Sequence, residues 1–174
     1  MDLSDDLRQA WDDIQAYYDE LNGESSRAAV ILAVASLEDE LERLILKKFP
    51  SDLSPKVWKR VCGPGHSPLG SFKAKSDFAQ AFGYFGKETR NLLENISVVR
   101  NKFAHASLPR YFTDDDILEA CSKIFPVPAL EGPHKPKDKE VRWQYIAAVR
   151  TTHEQLEQLA QHISELSGPI QPLP

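Results

Sequence analysis

Residues 28–46 read AAVILAVASLEDELERLIL, and this stretch decides the fold class. Its first eight residues are all apolar, which is typical of a helix that other helices surround. Its second half is amphipathic, because leucine and isoleucine recur at helical spacing between charged residues. We therefore predict a helix from Ser25 or Ser26 to about Lys48 at the centre of a helical bundle.

The same spacing predicts the other elements. Further helices are expected at residues 4–22, 72–85, 87–104, 113–125 and 141–166. The Pro- and Gly-rich segment 50–70 should be a loop with a short helical turn near Val57 and Trp58, and residues 126–140 an exposed, mobile loop. No alternating run predicts a strand. The prediction is an all-α fold, a compact bundle of five to six helices with a long C-terminal helix, in one domain over 1–168 with a frayed tail at 169–174.

Composition and charge limit the function classes. The chain has 174 residues and a formal net charge of −5, which disfavours broad binding to duplex DNA. Cys62 and Cys121 are too few for a disulfide framework or a zinc site, so we expect free thiols, no metal and no cofactor. The acidic N-terminus does not resemble a signal peptide, and the longest apolar run is far shorter than the roughly 20 residues of a membrane span. We therefore expect a cytoplasmic protein without membrane contact.

The chemically richest segment is VVRNKFAHA at residues 98–106. On a helix, Asn101 and His105 share a face at i and i+4, whereas Arg100 lies about 140° away from His105. A permanent cation, an amide and an imidazole suit phosphoryl chemistry on RNA. The histidine can move a proton, the arginine can stabilise phosphate charge, and the asparagine can hold the imidazole tautomer or bind a phosphate oxygen.

A purely structural interpretation explains the same three residues. Arg, Asn and His near a helix C-terminus also serve as polar caps, with the positive charge on the negative end of the helix dipole. The spacing of Arg100 and His105 is short and frequent by chance. Arg100, Asn101 and His105 are therefore candidate catalytic residues with a capping role as the alternative.

Four other residues are candidates for binding or support. Glu24 and Arg27 open the helix that starts near Ser26, and they could cross to residues 100–105 or simply pair with each other. Asp39 belongs to an acidic run that could equally be a solvated face. Ser71 precedes a predicted helix, where it could help to bind an anion or act as an N-cap.

Three blocks of the chain together resemble the mannitol operon repressor family, within the HEPN superfamily (higher eukaryotes and prokaryotes nucleotide-binding). The first is ESSR at residues 24–27, which leads into an apolar helix ending in LEDELERLI. The second is PLGSFKAK at 68–75, which leads into FAQAFGYF, and the third is ISVVRNKFAH at 96–105. They lie in the family's order and cover about residues 24–110.

The resemblance implies two functional hypotheses. The first is a regulatory or interaction protein of the mannitol operon repressor type, in which a transcriptional repressor works through a protein partner. Direct reading of DNA is not expected, because the sequence offers no basic recognition helix. The alternative is a metal-independent endoribonuclease of the HEPN type, a toxin or defence component that uses Arg100 and His105 on RNA. Whether the chain is an enzyme stays open. The resemblance also implies a homodimer in which the ends of two 87–104 helices meet.

Overall fold

The computed structural model describes residues 21, 23–50, 52–127 and 136–166, side chains at 164–166 excepted. These residues form six helices and no strand: α1 (Ser26–Leu46), α2 (Pro55–Cys62), α3 (Phe72–Ala81), α4 (Lys87–Ala104), α5 (Asp115–Cys121) and α6 (Asp138–Leu166). The prediction of an all-α bundle with a long C-terminal helix is therefore confirmed. The helix expected at 4–22 and the tail at 169–174 lie outside the described residues.

Helix α1 is the central element, as its sequence predicts. The Ser25 hydroxyl accepts a hydrogen bond from the Ala28 amide (3.2 Å) and so caps the first turn. The helix packs against α3, α4 and α6. The expectation that its first half is buried on every side is wrong, because Leu32 is 43% exposed while Ala29, Val30 and Ala33 are fully buried. One broad face of α1 is thus buried, and the other carries the exposed residues Leu32, Asp39 and Arg43.

Helix α4 has the bounds that the sequence predicts, and its inner face is the apolar stripe at Leu93, Ile96, Val99 and Phe103. The Tyr145 hydroxyl of α6 donates a hydrogen bond to the Ile96 carbonyl across this interface (3.0 Å). A buried phenol needs such a partner, since an unsatisfied polar group in the core is costly. This hydrogen bond therefore links α6 to α4, whose packing contacts are chiefly with α1, α3 and α5.

Several predicted boundaries differ from the structure. The segment 50–70 contains an eight-residue helix, α2, which Pro55 and the N-cap Ser54 begin. Helix α3 stops at Ala81, because Gly83 adopts a left-handed conformation (φ 74°) that ends it before residue 85. Helix α5 ends at Cys121 instead of residue 125, and α6 starts at Asp138, inside the segment expected to be a loop. Of that loop, residues 128–135 are not described.

Helices α1 and α4 are antiparallel, which gives the bundle two distinct ends. Arg27, in the first turn of α1, contacts the last residue of α4. Because α1 has 21 residues, its other end lies about 30 Å away. We call the first region, formed by the start of α1, the last turn of α4 and residues 105–114, the motif end. The far end of α1, together with α2 and the end of α3, is called the opposite end. Within the described residues, no helix is both long and apolar enough to span a membrane.

Candidate functional site

Helix α4 places Arg100, Asn101 and His105 in its last turn and at its C-cap. The His105 amide donates a hydrogen bond to the Asn101 carbonyl (3.1 Å), so the backbone is still helical when it reaches the imidazole. The side chains of Asn101 and His105 are both exposed, and Arg100 is half-buried. The two exposed side chains therefore lie on the solvent side of α4, as the i, i+4 spacing predicts.

The Arg100 guanidinium donates a hydrogen bond to the Asn101 side-chain carbonyl (2.9 Å). The Asn101 side-chain amide thus orients Arg100, whereas the sequence suggested that it could hold the His105 imidazole. Within the described part of the chain, no hydrogen bond or ion pair joins Arg100 to His105. Val98 is 41% exposed, whereas the next residue, Val99, is fully buried and belongs to the core.

Arg27 crosses from α1 to α4, one of the outcomes that the sequence allowed. Its guanidinium donates a hydrogen bond to the Ala104 carbonyl (2.6 Å). The bond satisfies a free carbonyl at the end of the helix and puts a positive charge at the negative end of the dipole. Arg27 therefore holds the backbone beside His105, and among the described residues no hydrogen bond or ion pair joins it to the side chain of Arg100 or His105. Glu24 is exposed at the same end of the molecule.

Asp39 and Ser71 belong to other elements, the second half of α1 and the N-cap of α3. Ser71 accepts a hydrogen bond from the Ala74 amide (3.2 Å), which is the N-cap geometry for α3. Asp39 is exposed and borders a cavity of about 230 Å³ between α1 and the 62–70 turn. Among the described residues, no hydrogen bond or ion pair joins either residue to Arg100, Asn101 or His105, although Phe72, next to Ser71, lines a cavity of about 170 Å³ together with Asn101.

A cleft of about 540 Å³ opens at the motif end, and the sequence did not indicate it. Its walls come from the start of α1, the loop after α4 and the start of α6: Ser25, Ser26, Arg27, Phe103, Ser107, Leu108, Pro109, Arg110, Tyr111 and Asp138. Leu108 is 73% exposed and Tyr111 is 55% exposed. The available signal was the run LPRYF at 108–112, which is unusually apolar for a connecting loop.

Ion pairs hold one wall of this cleft. Arg110 pairs with Asp114 (2.6 Å) and with Asp116, and Lys102 reaches the same Asp116 carboxylate (2.8 Å). The hydrogen bond from Lys102 keeps the pKa of Asp116 below its usual value. Asp138, on the opposite wall, accepts hydrogen bonds from the Phe112 amide and the Ser26 hydroxyl. Both Leu108 and Tyr111 are therefore presented by an anchored loop.

A second charged cluster lies between α1, α2 and α3. The Lys75 ammonium is buried and contacts both Glu38 and Glu42 at 2.9 Å, and the Trp58 indole donates to Glu42 (2.8 Å). Burial by itself lowers the pKa of Lys75, but the hydrogen bonds to Glu42 and Glu38 outweigh it and the pKa is raised. The neighbouring Cys62 thiol has its pKa raised to about 11, first by burial and then by the Glu42 charge.

Cys62 and Cys121 are both free, as the sequence predicts, and both are buried. Burial raises the pKa of Cys121 to about 12, so neither thiol is a reactive thiolate at neutral pH. Among the described residues, no three His, Cys, Asp or Glu side chains are grouped so that they could hold a metal ion.

Comparison with known proteins gives one consistent relative. No family model matches the chain. Over 137 residues it is 26% identical to the mannitol operon repressors of Escherichia coli K12 and of E. coli O6:H1, and the match covers 75% of this chain and 70% of each repressor. The chain is similar to mannitol operon repressors. Identity at this level supports the resemblance based on residues 24–110, and the wider HEPN resemblance stays a prediction.

A solved structure shares the fold. A chain of the X-ray structure of the MtlR–HPr complex from E. coli superposes with a TM-score of 0.51 at 23% identity, over 88% of this chain and 99% of that one. The likeness extends beyond the three resembling blocks, because it includes most of the described helices. It agrees with the helical bundle and assigns no role to individual residues.

Proposed function

We propose that this chain is a regulatory protein that acts through a protein partner, and that the partner binds at the cleft of the motif end. The observation that carries the proposal is the pair Leu108 and Tyr111, which stand exposed beside Arg27 and Arg110 at the mouth of the cleft. Tyrosine and arginine are enriched among residues that dominate binding energy at protein interfaces. An anchored loop also loses little conformational entropy when a partner docks.

The similarity to mannitol operon repressors supports this choice of function, and the solved MtlR structure was obtained as a complex with HPr. We therefore propose an HPr-type protein as the partner and repression of transcription as the outcome. A cytoplasmic location remains a prediction that fits this role.

Titration calorimetry with purified HPr from E. coli tests the proposal. We expect binding, and we expect Tyr111→Ala and Leu108→Ala each to weaken it about tenfold or more, because truncation of an anchor residue typically costs about 2 kcal/mol. Trp143→Ala is the matched control, since Trp143 is an exposed aromatic residue on α6 outside the cleft. If Trp143→Ala lowers HPr affinity as much as the cleft variants do, or if neither cleft variant changes it, the cleft is not the binding site.

We also propose that the chain forms a homodimer through α4. Five exposed residues of α4 and its C-cap share one face at helical spacing: Lys87, Asn91, Val98, Asn101 and His105. Val98 is the large apolar residue of this face, and two copies would bring Arg100 of each chain towards His105 of the other. Light scattering at micromolar concentration should give a dimer mass, and Val98→Glu should give a monomer with unchanged helicity.

A second candidate function is metal-independent cleavage of RNA. The observation in its favour is that Arg100, Asn101 and His105 are accessible together and that Arg100 is already oriented by Asn101. Incubation of labelled RNA with the protein in EDTA tests it. Cleavage that both Arg100→Ala and His105→Ala abolish supports the ribonuclease, and intact RNA retires it without affecting the HPr proposal.

Direct DNA reading is not part of the proposal. Helix α4 cannot serve as a recognition helix in the major groove, because its inner face is needed for the core. We expect no sequence-specific duplex binding tighter than micromolar at physiological salt, whereas specific readers typically reach about 10⁻⁸–10⁻¹¹ M. A gel shift at nanomolar protein that survives competitor DNA would contradict this expectation.

A further inference from the structure

We propose that the opposite end of the bundle binds single-stranded nucleic acid without sequence preference. The surface consists of the turn after α1, helix α2 and the end of α3. It combines cations that lack carboxylate partners with an aromatic ladder that reaches the solvent. Neither the partner cleft nor Arg100 and His105 belongs to it, since they lie at the other end of α1.

The first component of this surface is a set of exposed cations. Residues 47–60 contain Lys47, Lys48, Lys56, Lys59 and Arg60, and all five are exposed. No described carboxylate pairs with any of them, and Asp52 is the single acidic residue of this segment. On α2 the spacing of Lys56, Lys59 and Arg60 is i, i+3 and i+4, so their side chains share one helix face. A protein with net charge −5 thus has a locally basic surface.

An aromatic ladder starts at Trp58 of α2 and continues through the turn after α1 to the end of α3. Trp58 packs edge-on against Phe49 (ring centroids 5.6 Å apart), Phe49 stacks with Phe78 (6.4 Å), and Phe78 stacks with Phe82 (4.3 Å). Phe82 ends the ladder and is 53% exposed. An exposed ring that its neighbours support is a platform on which a nucleobase can stack.

Two features make single-stranded nucleic acid the occupant. The cations without carboxylate partners favour a polyanion, and the stacked rings favour one that carries flat aromatic groups. An anionic membrane fits less well, because the apolar face of α2 is turned inward: Cys62 is buried and Trp58 is bound to Glu42. A helix of this kind has no free apolar face to insert among lipids. An acidic peptide would pair with the cations but would not need the exposed Phe82 ring for stacking.

Fluorescence anisotropy with a labelled oligodeoxythymidylate of about 20 nucleotides tests the proposal. Such a strand has no 2′-hydroxyl, so the proposed ribonuclease chemistry cannot act on it. We expect binding at low salt whose logarithm falls with the logarithm of salt concentration with a slope of about −3, because four contacted phosphates contribute about −0.7 each. The matching duplex should bind more weakly, since its bases cannot stack on Phe82.

Two variants separate charge from stacking. The triple variant Lys56→Glu, Lys59→Glu, Arg60→Glu should lower affinity at least tenfold, on the order of the loss of two to three phosphate contacts. Its control is Lys123→Glu, Lys137→Glu, Lys139→Glu, which changes the net charge equally with exposed cations outside this surface. Phe82→Ala should lower affinity about fivefold or more, and Trp143→Ala should not. Circular dichroism confirms that each variant is folded; if the triple variant is not, Lys59→Glu replaces it.

Several results would overturn the proposal. An equal loss in both charge variants would mean that only net charge matters. Equal binding of strand and duplex with no effect of Phe82→Ala would remove the stacking platform. No binding of the strand at low salt, with binding of phosphatidylserine vesicles or of a polyaspartate peptide, would assign the surface to another occupant. HPr binding by the triple variant stays unchanged if the partner proposal holds, so the two proposals fail separately.

Discussion

The two ends of the bundle treat their cations in opposite ways. At the motif end, Lys102 and Arg110 are paired with carboxylates, and Arg27 is bound to a helix carbonyl. At the opposite end, the exposed lysines and arginine of residues 47–60 have no carboxylate partner among the described residues. The net charge of the whole chain does not reveal this difference between its two ends. A chain of net charge −5 can therefore present a basic surface, because paired acids cancel cations locally and distant acids are screened by salt.

The largest effect is expected where the opposite end is anchored to the core. Lys75→Met should destabilise the protein by about 3 kcal/mol, because it leaves Glu38 and Glu42 without their buried cation. Lys73→Met is the matched control on the same helix, and it should cost less than about 1 kcal/mol because its pairs are solvent-exposed. Urea unfolding curves measure both. Similar values for the two would show that burial of Lys75 does not matter.

The same cluster predicts a dependence on alkaline pH. Since the pKa of Lys75 is raised in the folded protein, its contribution is complete below the ordinary lysine value of 10.5. It is lost as pH rises through the folded pKa. Thermal melts between pH 9 and about 12 should therefore show a smaller decline in Lys75→Met than in the unmodified chain. An identical decline would contradict the assignment.

The next largest effect is expected from loss of the hydrogen bond between Arg27 of α1 and the Ala104 carbonyl of α4. Arg27→Ala should cost about 1 kcal/mol, because it removes a charged hydrogen bond to the Ala104 carbonyl. Lys56→Ala removes a cation of the opposite end that has no such partner, and it should leave the unfolding free energy unchanged within about 0.5 kcal/mol. Equal losses of unfolding free energy in Arg27→Ala and Lys56→Ala would show that the bound cation of the motif end does not differ from the exposed cation of the opposite end.

Freeing the paired cations should make the two ends more alike. Asp114→Asn combined with Asp116→Asn releases Arg110 and Lys102, so affinity for the oligodeoxythymidylate should rise about two- to threefold at low salt. No gain in the double variant would mean that pairing is not what keeps nucleic acid from the motif end.

The smallest effect is expected at His105. Its side chain is exposed and its amide already bonds to the Asn101 carbonyl, so His105→Ala should change the unfolding free energy by less than about 0.5 kcal/mol. A cost of 0.5–2 kcal/mol would favour the capping role that the sequence left open. One melting curve therefore decides whether the imidazole is structural.

Local signals explain how much of the fold could be predicted. Helix α4 was predicted from 87 to 104 because its apolar stripe, a glycine before it and its polar end all agree. The end of α3 was missed by four residues, because the sequence does not reveal that Gly83 takes a positive φ. Helix α2 was expected only as a turn, since proline and glycine dominate its surroundings and its anchor, the bond from Trp58 to Glu42, is made with another helix.

The candidate site, like the fold, could be predicted from the sequence only in part. The proximity of Asn101 and His105 follows from helical spacing alone, and the sequence also suggested that Arg27 could cross to α4. It could not show that Arg27 binds a carbonyl, that Asn101 holds Arg100, or that Val98 faces solvent. Each of these depends on the angle at which one helix packs on another, and side-chain spacing within a helix carries no information about that angle.

The sequence by itself determined the helical class, the central position of α1, the free thiols and the polar end of α4, because each depends on a period of 3.6 residues or on composition. Tertiary structure alone decided which charges are paired. Lys75 and Lys73 are two residues apart on one helix, yet one is buried between two carboxylates and the other is exposed. The reason is physical: the free energy of a charge depends on how much water and which counter-charges surround it, and chain folding sets both.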